Sequence, residues 1–403
     1  MTDPDGLRYY QRDAYNSILN SLDWHDSSLA VLATGLGKTR LVSAVAKHWP
    51  GRVLFLAHRN ELIEQGREEM ARQTGEWVGL EKAEYHSNKE RIVVASVQTL
   101  CKQVKNWEGN LEMRRLRKIQ MQGPISLVIV DEGHRALGAS YRRVLDALNC
   151  KTLLITATPD RTDKQSIGKV AEDCAFRMDI LDGINAGYLV PAEFRHVELD
   201  SLDISQVKAG KGEGGLNLHQ LDIAMVRAVE HIVMETRNLE PDRQGIAFFP
   251  GVRSAQYASD RFNAILPGSS ICITGETDLD DRQAMVAEFK RGGYQYLCNC
   301  GVATEGFDAP EASLLIGGRP TTSRMLYTQM FGRVTRVLPK VVDHLQGPDL
   351  AAERRALIAT SAKPNAIGLD FAGNCGKHSL VGPEDVFAGD YTEAEVAKAK
   401  EMV

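Results

Sequence analysis

Short unbroken apolar runs alternate along this chain with stretches in which apolar residues recur at helical spacing. The runs are Leu29 to Leu32, Val53 to Ala57, Ile92 to Ser96, Ile125 to Val130 and Leu153 to Thr156. Uninterrupted apolar strands of this length suit a parallel sheet covered on both faces, whereas a half-exposed sheet would show apolar and polar positions in alternation. Between the runs, patterns such as Leu41, Val42, Val45, Ala46 and Trp49 mark amphipathic helices. Near AGYLVPAEFRHVELD, residues 186 to 200, the alternation starts afresh after a new set of turn signals. A glycine-rich loop follows at Lys208 to Gly215, then a helix on Ile223, Val226, Val229, Ile232 and Val233, and strands in GIAFF, SSICITGE, YQYLCNC, ASLLIGG and IGLDF. The expected organisation is one α/β domain over residues 1–186, a second over 187–375, and a short tail over 376–403 with a capping box at Thr392 and Glu395.

The first strand runs into LATGLGKT, Leu32 to Thr39, and a helix follows at once. Glycines at 35 and 37 allow backbone angles closed to other residues, so successive N–H groups of Gly35, Leu36, Gly37 and Lys38 can turn inward as a cradle for phosphate oxygens. Lys38 would reach the β- and γ-phosphates of a nucleoside triphosphate, and the Thr39 hydroxyl would serve Mg²⁺, with Arg40 opening the helix beside them. Leu32 stands where the general pattern has a glycine. Ahead of the loop, LRYYQRDAY carries Gln11, whose amide has the donor and acceptor needed for N6 and N7 of adenine.

The ends of the apolar strands carry the remaining chemistry, as expected at the carboxyl edge of an open parallel sheet. Ile125 to Val130 ends in Asp131 and Glu132, placed to hold Mg²⁺ and to deprotonate an attacking water. Arg59, Gln98 and Thr99 follow two other strands and suit phosphate-backbone contacts. Thr156 and Thr158 close a further strand, and with His134 they are positioned to relay the state of the nucleotide site. In the second half, Thr274, Gly275 and Thr304 lie at strand ends as candidate nucleic-acid contacts, and Asp308 as a candidate ATP contact. Gln329, Arg333 and Arg336 in SRMLYTQMFGRVTR have the spacing of one helical face, where two arginines suit the charge of a transferred phosphoryl group.

Composition narrows the setting. The chain has 403 residues, a formal net charge of −5 and a pI near 6.1, so attraction to nucleic acid must come from a local groove. No apolar run approaches the roughly 18 residues of a membrane span, and MTDPDG does not read as a signal peptide, so a cytoplasmic protein without membrane contact is expected. The 7 cysteines include no CxxC pair and are expected to be reduced. A basic run, Lys102, Lys105, Arg114, Arg115, Arg117 and Lys118, reads as a solvated helix face or as a nucleic-acid contact.

The ordered set LRYYQ, LATGLGKT, AHRNELIEQ, SVQTL, DEGH, TATP, ITGE, GVATEGFDAP, RPTTS and QMFGRVTR resembles the superfamily 2 helicases and translocases, over about residues 7 to 336. Within them it is similar to DEAH-type motors of DNA repair and restriction systems, with Gly133 in place of the usual alanine. The resemblance implies two tandem RecA-like domains with parallel sheets and ATP in the cleft between them. It implies adenine recognition by Gln11, phosphate and Mg²⁺ binding by Lys38 and Thr39, and hydrolysis by Asp131 and Glu132. Arg333 and Arg336 complete the site, and Arg59, Thr99, Thr274 and Thr304 hold the strand backbone. The implied partner is DNA in preference to RNA. With no nuclease signature in the sequence, a protein partner would supply nuclease, wedge or loading functions. An ATP-gated sensor or clamp with slow turnover, and an RNA helicase, are the alternatives.

Overall fold

The structure, a computed structural model, describes residues 6–58, 60–106, 108–157, 171–199, 201–210, 216–301, 307–321 and 323–371. The chain divides into two compact units between Asp179 and Ile180.

The first unit is built on a seven-stranded sheet. Its strands are β1 (Ser27–Leu32), β2 (Arg52–Ala57), β3 (Val78–Glu81), β4 (Ile92–Ser96), β7 (Ile125–Asp131), β8 (Lys151–Thr156) and β9 (Asp173–Met178), in the order β3-β4-β2-β7-β8-β1-β9. Every pairing is parallel. The apolar runs are the reason: Val53, Leu54, Ile92, Val93, Leu127, Val128, Ile129 and Val130 are all 0 % exposed, so both sheet faces are covered. Each such side chain contributes about 1.5–3 kcal/mol on burial. The parallel arrangement brings the carboxyl ends of β1, β2, β4, β7 and β8 to one edge. A two-residue-per-strand hairpin, β5 (Val104–Lys105) with β6 (Leu111–Glu112), precedes the basic helix Arg114–Met121.

The second unit carries β10 (Ala192–His196), β11 (Gly245–Phe248), β12 (Ser270–Ile273), β13 (Tyr296–Asn299), β14 (Leu314–Gly317) and β15 (Ala366–Asp370), all parallel, in the order β10-β15-β14-β11-β13-β12. Helices Leu218–Leu239 and Val252–Ile265 bury Leu221, Met225, Val229, Ile232, Ala258 and Phe262 against Ala247, Tyr296, Leu314 and Leu369. On β10, Phe194 packs at a tilt against Phe331 of the helix Arg324–Phe331, at 4.3 Å between ring centroids. The helix Ile180–Asn185, which the sequence pattern leaves in the first half, falls in the second unit, where Asn185 and Ala186 accept hydrogen bonds from Arg355 and Arg354.

Candidate nucleotide site and strand-end residues

β1 delivers the chain into the glycine loop, and the loop is held from beneath. Gly35 and Gly37 sit at φ +91° and +79°, and Gly37 stands at the N-cap of the helix Lys38–His48 with no capping side chain. A β-carbon at residue 37 would collide with Nε2 of Gln11. Gln11 is 2 % exposed; its Oε1 accepts from the Arg8 N–H at 2.9 Å, and its Nε2 donates to the carbonyls of Leu36 at 3.0 Å and Gly37 at 3.3 Å. The Tyr10 hydroxyl donates to the same Leu36 carbonyl at 2.9 Å, and burial pushes that phenol's pKa up. In this conformation the Gln11 amide therefore supports the loop backbone. Leu32, the departure from the glycine pattern, is fully buried, and its carbonyl accepts from Lys38 Nζ at 3.4 Å. Thr39 and Arg40 are exposed on the first turn.

Asp131 ends β7, and Glu132 follows with its backbone N–H donating to Asp131 Oδ1 at 3.0 Å. Asp131 is in register with Ile155 of β8, and Thr156 of β8 with Val31 of β1. The acidic pair and the glycine loop thus stand at one height two strand spacings apart, about 10 Å. Glu132 is 9 % exposed and held at φ +52°, a left-handed conformation that costs a non-glycine residue on the order of 1 kcal/mol or more. His134 Nδ1 lies 3.6 Å from Glu132 Oε2, so it contacts the carboxylate directly. A β-carbon on Gly133 would lie 2.9 Å from Leu154 Cβ and 3.3 Å from the Ile155 nitrogen, so β8 leaves no room for the alanine usual in the family. Thr156 is 0 % exposed at its strand end; Thr158 lies outside the described residues. Among the described residues no group of three His, Cys, Asp or Glu side chains could cage a metal ion.

At the other strand ends of the first unit, Gln98 Nε2 donates to the His58 carbonyl at 3.0 Å while its Oε1 accepts from Ser96 Oγ at 2.7 Å, tying the ends of β2 and β4. Thr99 Oγ1 accepts from the Ala83 N–H at 3.3 Å, and Arg59 lies outside the described residues. In the basic run, Arg115 is spent on buried Glu81 and on the carbonyls of Ala83 and Tyr85, and Arg117 on Glu112.

In the second unit, Thr274 is buried, its Oγ1 accepting from the Glu276 N–H at 3.2 Å, and Gly275 is exposed with open space around it. Thr304 lies outside the described residues. The expectation that Gln329, Arg333 and Arg336 share a helical face is corrected. The helix ends at Phe331, Gly332 and Arg333 form a turn, and Arg336 lies in an extended segment bridged to Leu189. Gly332 and the β-branched Val334 and Thr335 disfavour continuing the helix, and Thr335 Oγ1 donates to the Gly332 carbonyl at 3.4 Å. Gln329 and Arg333 are 3 % and 7 % exposed, and Arg333 Nη1 donates to the Phe307 carbonyl at 2.6 Å. Arg336 is ion-paired with Asp308, and burial pushes its pKa down to about 10, which leaves it charged at neutral pH.

Two residues that the sequence reading passed over belong to the same neighbourhood. Lys363, 3 % exposed, donates to the Pro310 carbonyl at 2.6 Å. Arg354 is 0 % exposed. The available signal was helical phase, since Arg354 sits one turn before Ile358 on the buried face of the helix Ala351–Ala359.

Two family models match in tandem: "Type III restriction enzyme, res subunit" over residues 5–161 and "Helicase conserved C-terminal domain" over residues 225–338. The chain belongs to the superfamily 2 helicases and translocases. This superfamily 2 chain is 29% identical over 359 residues to IRC3 of Saccharomyces cerevisiae, assigned as an ATP-dependent helicase, covering 82% of the chain and 49% of that protein. To the type I restriction enzyme EcoKI endonuclease subunit of Escherichia coli it is 25% identical over 403 residues, covering 83% and 33%. The superfamily 2 chain thus spans about half, or less, of these relatives' lengths. A fragment assigned as the HsdR subunit of a type I restriction enzyme from Vibrio vulnificus YJ016 shares its fold with a TM-score of 0.61 at 19% identity, over 92% of this chain and 67% of that one. The two units are tandem RecA-like domains. Among the described residues no helix is long and apolar enough to cross a membrane.

Proposed function

We propose that this chain is a DNA-stimulated ATPase that converts ATP hydrolysis into movement along DNA. The observation that carries this reading is the placement of the glycine loop and of Asp131 and Glu132 at one height on one sheet edge. A nucleoside triphosphate seated on the loop would have its outer phosphates toward the acidic pair.

The residues fit ATP and Mg²⁺. Gly35 and Gly37 hold the loop in left-handed backbone angles, at the positive end of a helix with no competing cap. Lys38 would exchange the Leu32 carbonyl for phosphate oxygens, Thr39 and Asp131 would hold the ion, and Gln11 has one amide to divide between the loop and adenine. Mg²⁺, when bound, neutralises charge building on the phosphate oxygens. Glu132, in its strained conformation beside His134, takes the proton from the attacking water. Gln329, Arg333 and Arg336 stabilise the phosphoryl group in transfer, with Asp308 holding Arg336. His134, Thr156 and Thr158 couple the nucleotide state to the strand ends.

DNA is gripped through its phosphates by Arg59, Gln98 and Thr99 in the first unit and Thr274, Gly275 and Thr304 in the second. Such contacts carry no base information, so binding is tolerant of sequence and weakens steeply with salt. The similarity to restriction-enzyme subunits favours a protein partner that supplies a nuclease or loading function. Phosphate release measured with no nucleic acid, single-stranded DNA, duplex DNA and RNA tests the reading. Stimulation by DNA supports it, stimulation by RNA alone replaces DNA with RNA as the track, and ATP binding with no stimulated turnover favours a clamp.

A further inference from the structure

Arg354 is the largest side chain fully buried in the described residues, and its guanidinium donates to one short segment and the loop beside it. Nε donates to the Ala186 carbonyl at 2.7 Å, while Nη1 donates to the carbonyls of Leu345 at 3.0 Å and Gly347 at 2.8 Å. The cation lies 4.4 Å over the centre of the Tyr188 ring, whose hydroxyl donates to the same Leu345 carbonyl at 3.3 Å. Between Ala186 and Tyr188 the backbone turns through Gly187 at φ +72°, and a β-carbon there would lie 2.6 Å from Arg354 Cβ. The chain is therefore wrapped around the arginine stem at a position only glycine can occupy.

The other side of this wrapped segment pairs with the arginine motif. Leu189 forms a bridge with Arg336, and the Val190 N–H donates to the Thr335 carbonyl at 2.8 Å. Arg354 thus fixes residues 186–188, and residues 189–190 fix the backbone at Thr335 and Arg336. A buried guanidinium that donates to three carbonyls and lies over an aromatic face is costly to disturb, because removing it leaves those carbonyls desolvated and unmatched.

We propose that Arg354 is a positioning residue for ATP hydrolysis, which sets where Arg336 is presented through the segment Ala186–Val190. This rests on the reading that Arg336 serves hydrolysis. A shift of about 1 Å at a transition-state contact is enough to cost on the order of 10²-fold in turnover.

The test is a double-mutant cycle in DNA-stimulated ATP hydrolysis on the full chain, using Arg354→Met, Arg336→Ala and the pair, with Arg354→Lys and Tyr188→Leu alongside. The expected result is a fall in kcat of about 10- to 100-fold for Arg354→Met with KM for ATP nearly unchanged. Arg354→Lys and Tyr188→Leu should fall between it and wild type. In the Arg336→Ala background, Arg354→Met should cause little further loss, because both act through one group. If Arg336→Ala loses turnover while Arg354→Met keeps it, or if the two losses multiply, the inference is overturned and the proposed function stands. If Arg336→Ala itself turns over normally, the role given to Arg336 falls and this inference with it. Should Arg354→Met fail to fold, the Lys and Leu variants decide by the same comparison.

Discussion

Gln11 and Leu36 are joined by a hydrogen bond of 3.0 Å from the side-chain amide to the backbone carbonyl, so the residue expected to read adenine also holds the tip of the phosphate loop. Gln11→Ala should therefore destabilise the protein before any nucleotide is added, by about 1–3 kcal/mol, because buried loop carbonyls lose a donor. Thermal unfolding of the nucleotide-free protein checks this. An unchanged midpoint would mean that the amide is not part of the loop's support.

Gly133 is fixed by its neighbour across the sheet, β8, rather than by the chemistry of the acidic pair. Gly133→Ala, although it restores the residue usual in the family, should cost about 1–3 kcal/mol as β8 is pushed away, and should slow turnover by shifting Glu132. Urea unfolding and phosphate release measure the two effects. A variant as stable and as active as wild type would show that Leu154 yields freely.

Lys363 should leave its mark on pH dependence. Burial, with Arg336 and then Arg243 adding to it against Glu311, pushes its pKa from the ordinary 10.5 down to about 7. Below about pH 7 the folded protein bears the whole cost of burying that proton. Between about 7 and 10.5 the unfolded chain still holds a proton that the folded one has released, so this position's contribution to stability rises with pH. The stability of wild type minus that of Lys363→Met should climb across that window when followed by urea unfolding. A flat difference would contradict the burial of an ionisable amine there.

The glycine loop and its flanking elements were legible because they depend on local sequence: an apolar strand, glycines at the turn, and a helix that starts at once. The strand ends were legible for the same reason, since unbroken runs such as Ile125 to Val130 announce a buried parallel strand. What escaped were features made by contacts distant in sequence. Nothing near Gly133 reveals that Leu154 lies against it, and nothing near Gln11 reveals that its amide meets Leu36. Arg336 was assigned to a helical face because 3.6-residue spacing continues on paper past Gly332, while in the fold Leu189 and Val190 draw that segment into an extended pairing. Arg354 was passed over: helical phase with Ile358 marks its buried face, but its partners at residues 186, 188, 345 and 347 are distant or in a loop and leave no local pattern.

Arg336 is held by Asp308 and stays charged at neutral pH, so its removal should act on the transition state more than on binding. Arg336→Ala is expected to cut turnover by about 10³-fold or more with a smaller change in affinity for ATP. Comparing nucleotide binding with single-turnover hydrolysis separates the two effects. Equal losses in both would assign Arg336 to ground-state binding.

The most direct test of the account is Glu132→Gln, read in parallel for nucleotide binding and for phosphate release with and without DNA. The amide keeps the shape of the side chain while removing the base, so the account predicts ATP bound about as tightly as by wild type, with basal and DNA-stimulated turnover both lost. Lys38→Ala, run beside it, should weaken binding as well. Turnover at the wild-type rate in Glu132→Gln would contradict the assignment of this strand end as the site of hydrolysis.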